Sequence, residues 1–316
     1  MTINGLTMGT YYKITYSGNE QVSKAEVDKL LVELNNGLST YQENSIISQI
    51  NRNELSQLNL SNQTHSYFFE VLERSKYFYA ISEQFFDPTV MPLVNYYGFG
   101  YVSRGAKGVV DSSQISDILH YVSLDKLQWI KKGNLVNIKK LNPKTELDFS
   151  AIAKGYGVDE ISAFLESKKI QNYLVDIGGE IRVKGKNPKN QNWSLGVSKP
   201  IENARYDDAE IIVQLSNTSL ATSGNYRNFY EKDGVKYSHT INPKSGVSER
   251  SNLLGTSIIT EKCMDADALA TVCMVIGLEK SIALIEKLSG VEGCLIYNQK
   301  DSLQMHYSSG FKDLIK

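Results

Sequence analysis

Residues 173–185 read YLVDIGGEIRVKG, and this stretch decides the class of fold. Two runs rich in β-branched and apolar residues flank Gly178-Gly179, and such a glycine pair is typical of the tight turn between two strands. Residues 127–130 and 135–138 flank a second turn, Lys131-Lys132-Gly133-Asn134, and predict a second hairpin. Further strands are predicted at 211–215 and 257–260.

Helices are interleaved with these strands. Ser23 and Glu26 form a capping-box pattern that starts a helix over 23–36. Apolar spacing predicts further helices at 46–50, 64–82, 150–167, 265–276 and 278–288. Hairpin and helical connections together predict an α+β fold with mixed or antiparallel sheets and packed helices. Residues 1–316 contain no separating linker, so we expect a single domain or two intimate lobes.

Composition excludes several classes of protein. The net charge of -1, without a Lys/Arg stripe, gives no reason to expect nucleic acid. No apolar run approaches the ~18 residues needed to span a bilayer. The three cysteines match no metal or disulfide spacing, so we expect all three to be small buried hydrophobes.

Asp267-Ala268-Leu269-Ala270-Thr271 is the first candidate site. Asp267 and Thr271 are four residues apart and share one face of a helix. A carboxylate and a hydroxyl are hard oxygen ligands that suit Mg²⁺. Alternatively, Asp267 is only a first-turn acid favoured by the helix dipole. Asp265 is placed to cap this helix.

Residues 147–157, LDFSAIAKGYG, are the second candidate. Small residues in a strand-to-helix turn let a ligand approach the backbone, and a helix N-terminus favours anions. Lys154 opposes the helix dipole in that first turn, which points to pairing with a phosphate. The alternative is a solvated lysine beside a packing glycine.

Residues 237–246, YSHTINPKSG, are the third candidate. His239 ends a predicted strand before a turn marked by Asn242-Pro243 and Ser245-Gly246. A histidine titrates near neutrality and can act as a general base, although a hydrogen-bonded structural histidine is the alternative.

Residues 86–100, FDPTVMPLVNYYGFG, are the fourth candidate. Two prolines and aromatic-glycine pairs predict a rigid, extended loop that could clamp a ring system, or else cover the edge of a core.

None of these motifs is specific alone, but their order along the chain resembles that of the FAD:protein FMN transferase family, also called ApbE. The resemblance extends from Met8 to about Leu288. It is carried by Met8-Gly9-Thr10, Ser39-Thr40-Tyr41, Asp87-Pro88-Thr89, Gly98-Phe99-Gly100, Ala151-Ile152-Ala153-Lys154-Gly155-Tyr156, Asp176-Ile177-Gly178-Gly179, residues 239–246 and residues 267–271.

The resemblance implies a T-fold-like architecture and a role for each site residue. Mg²⁺ would be held by the Ala151 carbonyl, Asp267 and Thr271, and His239 would be the catalytic base. The residues expected to contact FAD are Met8, Tyr41, Asp87, Tyr97, Gly98 and Lys154. The chain departs from the family pattern at Tyr97, where tryptophan is more usual, and at Asn242, where aspartate is common. Both changes keep the shape.

The implied reaction transfers FMN from FAD to a Thr or Ser hydroxyl of an acceptor protein and releases AMP. The implied partner is a flavin-carrying subunit or lipoprotein of a redox system. Two alternatives are an Mg²⁺-dependent FAD pyrophosphatase and a non-catalytic FAD carrier. Many family members are exported lipoproteins held at the membrane. We therefore expect an extracytoplasmic protein whose leader is absent from this chain, with a cytoplasmic form as the alternative.

Overall fold

The structure is a computed structural model that describes residues 1–101, 111–198, 209–224, 229–232, 235–238, 240–248, 251–300 and 302–316. The chain divides into two compact units. The first unit comprises Met1–Leu31, Ile152–Arg227 and Arg250–Lys316, and the second comprises Val32–Ala151 and Asn228–Glu249.

The strands, in chain order, are β1 (Thr2–Thr7), β2 (Thr10–Ser17), β3 (Gln57–Asn59), β4 (Leu127–Lys132), β5 (Leu135–Lys140), β6 (Asn172–Ile177), β7 (Glu180–Lys184), β8 (Trp193–Ser198), β9 (Ala209–Leu215), β10 (Thr218–Gly224), β11 (Phe229–Lys232), β12 (Val235–Ser238), β13 (Leu253–Thr260), β14 (Glu292–Gln299) and β15 (Ser302–Tyr307).

The α-helices are α1 (Lys24–Leu38), α2 (Ile46–Asn51), α3 (Gln63–Ile81), α4 (Met91–Tyr96), α5 (Ser112–Leu119), α6 (Ala153–Ser167), α7 (Cys263–Ile276) and α8 (Leu278–Lys287). Single 3₁₀ turns lie at Leu124–Lys126 and Phe311–Leu314.

The first unit is built on an antiparallel sheet in the order β1-β2-β6-β7-β10-β13-β14-β15. Alternate residues of β6 are buried, as expected for a strand with one face on a core. Helix α6 packs against β6 and β7, α7 packs against β10 and β13, and the two helices pack against each other. The turns of the β1–β2 and β6–β7 hairpins and the starts of α6 and α7 carry the candidate residues of this unit.

The second unit combines helices with a small antiparallel sheet in the order β3-β5-β4. A core cluster of this unit consists of Leu93, Tyr97, Ile115, Ile118, Val122 and Ile241. The antiparallel sheets and packed helices of both units confirm the predicted α+β class.

Most predicted elements are present, with shifted ends. The capping box is complete, because the Ser23 N–H donates to Glu26 Oε2 at 3.0 Å and the Glu26 N–H donates to Ser23 Oγ at 3.2 Å. Helix α6 begins at Ala153 instead of residue 150, because Ser150 donates its N–H to Asp148 Oδ1 in a tight turn. Helix α7 begins at Cys263, so Asp265 lies in its first turn and is not its cap.

The prediction of an extended loop over residues 86–100 was wrong in its middle, where α4 forms. Pro92 lies in the first turn of this helix, where a missing N–H removes no helical hydrogen bond. All three cysteines are free and buried, as predicted. None of the helices in the part of the chain that the structure describes has both the length and the apolar character needed to cross a bilayer.

Candidate active site

Two tight turns lie side by side in the first unit. The β1–β2 turn places Met8 and Gly9 at φ +47° and +73°, and the β6–β7 turn places Gly178 at φ +62°. A Cβ on Gly178 would lie 2.7 Å from Thr10 Cγ2, so only glycine allows the two hairpins to approach this closely. Both turns belong to the sequence motifs of the candidate site.

The Asp176 carboxylate links the two hairpins. Its Oδ1 accepts the Gly179 N–H at 2.9 Å and thereby fixes the β6–β7 turn. Its Oδ2 accepts the hydroxyl of Tyr11 at 3.2 Å. This motif residue therefore has a structural task that the described contacts explain.

Helices α6 and α7 cap each other. Neither helix carries an N-cap residue whose side chain bonds its own first turn. Instead, Asp159 of α6 accepts the N–H groups of Cys263 at 3.0 Å and Met264 at 2.9 Å. In return, Asp267 of α7 accepts the Gly155 N–H at 2.9 Å. Because unpaired N–H groups at helix starts need acceptors, these carboxylates fix the two helices to one another.

Gly155 allows this approach. A Cβ at Gly155 would lie 2.4 Å from the Cys263 carbonyl oxygen and 2.8 Å from Asp267 Cβ. Two residues further on, a Cβ at Gly157 would lie 3.2 Å from Met8 Cε. Met8, Gly155 and Asp267, which are far apart in the sequence, are thus drawn to the start of α6.

Lys154 lies in the first turn of α6, and its ammonium is close to carboxylates from other elements. It forms an ion pair with Glu180 Oε1 and interacts electrostatically with Asp267. Burial opposes the charge of Lys154, but these two carboxylates outweigh it and raise its pKa above the ordinary value. Lys154 therefore stays protonated within this carboxylate pair, and the N-terminus of α6 itself favours an anionic ligand. The Lys154 side chain is 30% exposed, so it is partly solvated as well as ion-paired.

Glu180 is a site residue that the sequence analysis missed. It is 3% exposed, and burial raises the pKa of its carboxyl. In the sequence it looks like the first residue of a strand, and its partner Lys154 is 26 positions away. Its position directly after the Gly178-Gly179 turn is the one available signal, because that turn aims β7 back toward α6.

Asp267 is a suitable metal ligand on chemical grounds. It is 3% exposed in a helix whose other buried residues are mostly apolar, and burial raises its pKa. Such a buried carboxylate is usually paired or bound to a cation. Thr271 lies one turn further along α7. Ala151 ends the segment Val32–Ala151 of the second unit, and the segment Ile152–Arg227 of the first unit follows it in the chain.

Asp87 lies in the second unit within a network of donors. Its Oδ1 accepts the N–H and the hydroxyl of Thr89 at 2.8 and 2.6 Å, and its Oδ2 accepts the Leu124 N–H at 3.3 Å. Burial nevertheless raises the pKa of Asp87 to about 6.

The aromatic candidates differ in exposure. Tyr41 is 72% exposed, and its hydroxyl donates to the Phe99 carbonyl at 3.3 Å. Tyr97 is 1% exposed, and its hydroxyl donates to the Gly246 carbonyl at 3.0 Å. Gly98 is exposed at φ +78°, where a side chain would be strained. Tyr97 thus ties residues 86–100 to the turn at 242–246, and its role toward FAD stays a prediction.

His239 lies outside the described residues. The turn that follows it is described: Asn242 Oδ1 accepts the N–H of Lys244 at 2.9 Å, and Gly246 has φ +69°. This confirms the predicted turn.

An open groove of about 880 Å³ also lies in the second unit. Its lining includes Tyr79, Trp129 and Lys244. None of the predicted site residues lines this groove, so we do not assign it to FAD.

Comparison with known proteins decides the family. A model of the ApbE family matches residues 8–295, which is most of the chain. The chain belongs to the ApbE family. This confirms the resemblance drawn from the sequence motifs.

Individual members of the ApbE family match nearly the whole chain. Proteins of Vibrio cholerae serotype O1 and Haemophilus influenzae, both named FAD:protein FMN transferase, are 34% and 32% identical over 99% of this chain, which corresponds to 92% and 91% of their own lengths. The solved structure of the flavin transferase ApbE from Vibrio cholerae has a TM-score of 0.86 at 33% identity, covering 99% of this chain and 98% of that one.

Proposed function

We propose that this chain is an Mg²⁺-dependent FAD:protein FMN transferase, which joins FMN to a Thr or Ser hydroxyl of an acceptor protein through a phosphoester. Membership of the ApbE family and relatives of that name support the reaction. The observation that carries the proposal is the arrangement at the start of α6, where Lys154, Gly155 and Asp267 meet. This arrangement suits a pyrophosphate with a divalent cation.

The ligands proposed for Mg²⁺ are the Asp267 carboxylate, the Thr271 hydroxyl and the Ala151 carbonyl. All three are hard oxygen donors, which Mg²⁺ prefers. When bound, the ion supplies neutralisation of pyrophosphate charge and of the charge that develops on the departing AMP.

Lys154 is proposed to bind a phosphate oxygen of FAD. Its ammonium is charged at any working pH, and the N–H dipoles of the first turn of α6 add to its field. Such prearranged N–H donors stabilise the transition state of phosphoryl transfer more than the ground state, because negative charge builds up there.

His239 is proposed as the general base. It accepts the proton of the acceptor hydroxyl as that oxygen attacks the phosphorus of the FMN half. The new P–O bond forms as the bond to the AMP phosphate breaks, so no oxidant or reductant is needed. Met8, Tyr41, Asp87, Tyr97 and Gly98 are proposed to position the flavin and adenine rings.

The same residues would hydrolyse FAD if water replaced the acceptor hydroxyl. Transfer therefore requires an acceptor chain that excludes water from the phosphorus. By the family resemblance, an aromatic residue at Tyr41 goes with transfer, and its exposed ring is available to cover the bound flavin.

The acceptor is proposed to be a flavin-carrying subunit or lipoprotein of a redox system, and the site of action to be the extracytoplasmic face of a membrane. Both proposals rest on the family resemblance. Fractionation of the source cells, followed by immunoblotting for this protein, tests the location; recovery only in the cytosolic fraction would contradict it.

The function is tested by mixing the protein with FAD, Mg²⁺ and candidate acceptors, and measuring in-gel flavin fluorescence after denaturation. A fluorescent acceptor band is expected. His239→Ala should abolish the band, and EDTA should do the same. Rapid release of FMN and AMP with no labelled band would favour the pyrophosphatase, and FAD binding without turnover would favour the carrier.

A further inference from the structure

Glu180 is a buried carboxylate of which only one oxygen has a partner among the described residues. Oε1 pairs with Lys154, whereas Oε2 is buried and, within the described part of the chain, has no hydrogen-bond partner. Burying a carboxylate is costly, and an oxygen without a donor adds to that cost. The packing of β7 alone does not account for a carboxylate in this position.

The position of Lys154 accounts for the Glu180 carboxylate. Its ammonium pairs with Glu180, and Asp267 also lies at this turn, because it accepts the N–H of the neighbouring Gly155 at 2.9 Å. A lysine has a flexible four-carbon stem and changes partner readily. Of the two carboxylates Glu180 and Asp267, only Asp267 would remain beside Lys154 if Glu180 were removed. An ammonium paired with Asp267 would compete with any cation that this carboxylate binds.

We propose that Glu180 is a positioning residue that holds the Lys154 ammonium away from Asp267 and so keeps the Asp267 carboxylate open to a divalent cation. This inference rests on the proposed function, because it takes Asp267 as an Mg²⁺ ligand. The pair serves two ends: Lys154 is fixed at the start of α6, where an anion binds, and Asp267 stays available to the metal.

The test is a double-mutant cycle read by Mg²⁺ affinity, measured by calorimetric titration without FAD. The variants are Glu180→Gln, Lys154→Met and the double variant. Glu180→Gln alone should weaken Mg²⁺ binding by about tenfold, the order expected when one unit charge changes partner at close range. Lys154→Met should bind Mg²⁺ at least as tightly as wild type, and the double variant should match Lys154→Met.

The cycle separates this mechanism from a direct field effect. If Glu180 acted only through its own charge, Glu180→Gln would weaken Mg²⁺ binding equally in both Lys154 backgrounds, and the proposal would be overturned. No weakening in Glu180→Gln would also overturn it. If wild type binds no Mg²⁺ at all, the metal part of the proposed function fails as well, so the two failures are distinguishable.

A matched control is available in the same unit. Glu166 also pairs with a lysine, Lys184, at 2.9 Å. Glu166→Gln removes an ion pair of the same type and should leave Mg²⁺ affinity unchanged. Circular dichroism and thermal unfolding check that each variant is folded. If Glu180→Gln fails to fold, Glu180→Asp, which withdraws the carboxylate by one methylene, takes its place in the cycle with the same expected direction.

Discussion

Gly155→Ala should loosen the junction of α6 and α7. The added Cβ would lie 2.4 Å from the carbonyl oxygen of Cys263 and 2.7 Å from its carbonyl carbon. It would also lie 2.8 Å from Asp267 Cβ. Two of these atoms belong to the backbone of α7 and cannot rotate away. The helices must therefore separate, and the hydrogen bond from Gly155 to Asp267 must lengthen.

The magnitude follows from these contacts. Inserting a methyl group into a packed core costs about 1–3 kcal/mol, and a lengthened hydrogen bond adds up to about 1 kcal/mol. Replacing glycine by alanine inside a helix returns up to about 1 kcal/mol. We therefore expect Gly155→Ala to lower the free energy of unfolding by about 2 kcal/mol, measured by urea unfolding of the protein without FAD.

Gly157→Ala is the matched control, since it makes the same change in the same helix. Its Cβ would meet only the ends of flexible side chains, Met8 Cε at 3.2 Å and Ile177 Cδ1 at 3.3 Å. We expect its stability to lie within about 0.5 kcal/mol of wild type. A Gly155→Ala variant as stable as wild type, or an equal loss of free energy in both variants, would contradict this prediction.

Three further predictions concern other residues. Asp159→Ala should lower the free energy of unfolding by about 3 kcal/mol, because it removes the ion pair with Arg182 and leaves two N–H groups of α7 uncapped; a urea midpoint equal to wild type would contradict this. The native protein binds an extra proton at Asp87 between pH 3.8 and about 6, so its free energy of unfolding should fall by about 3 kcal/mol as the pH rises through that window. Asp87→Asn should remove this part of the pH dependence in urea unfolding at pH 4 and pH 7, and an unchanged slope would refute the assignment. Tyr41→Ala should raise the ratio of released FMN to labelled acceptor, measured by chromatography and in-gel fluorescence, and an unchanged ratio would show that the ring does not exclude water.

The elements that the sequence predicted well depend on local signals. The Ser23–Glu26 capping box and the glycine turn at 178–179 each act over a few residues, so their patterns are legible without the fold. The four-residue spacing of Asp267 and Thr271 is equally local, and the structure has both on α7. Helix α4 was missed because Pro88 before it and Pro92 within it resemble loop residues, although Pro92 fits a first helical turn.

The features of the site that the sequence analysis missed depend on tertiary contacts. No pattern in the sequence says that Asp159 and Asp267 cap each other's helices, because helix starts are normally capped by the preceding residue. The partner of Lys154 could not be found for the same reason. Glu180 becomes visible only when the β6–β7 hairpin folds back against α6.

In the proposed reaction, FMN moves from FAD onto a protein hydroxyl. Its most direct measurement is the intact mass of a purified candidate acceptor after incubation with this protein, FAD and Mg²⁺, with peptide mapping of the modified residue. We expect a mass increase equal to one FMN less one water, located on a single Thr or Ser and absent when His239→Ala replaces wild type. An acceptor of unchanged mass, in a reaction where FAD is fully converted to free FMN and AMP, would contradict it.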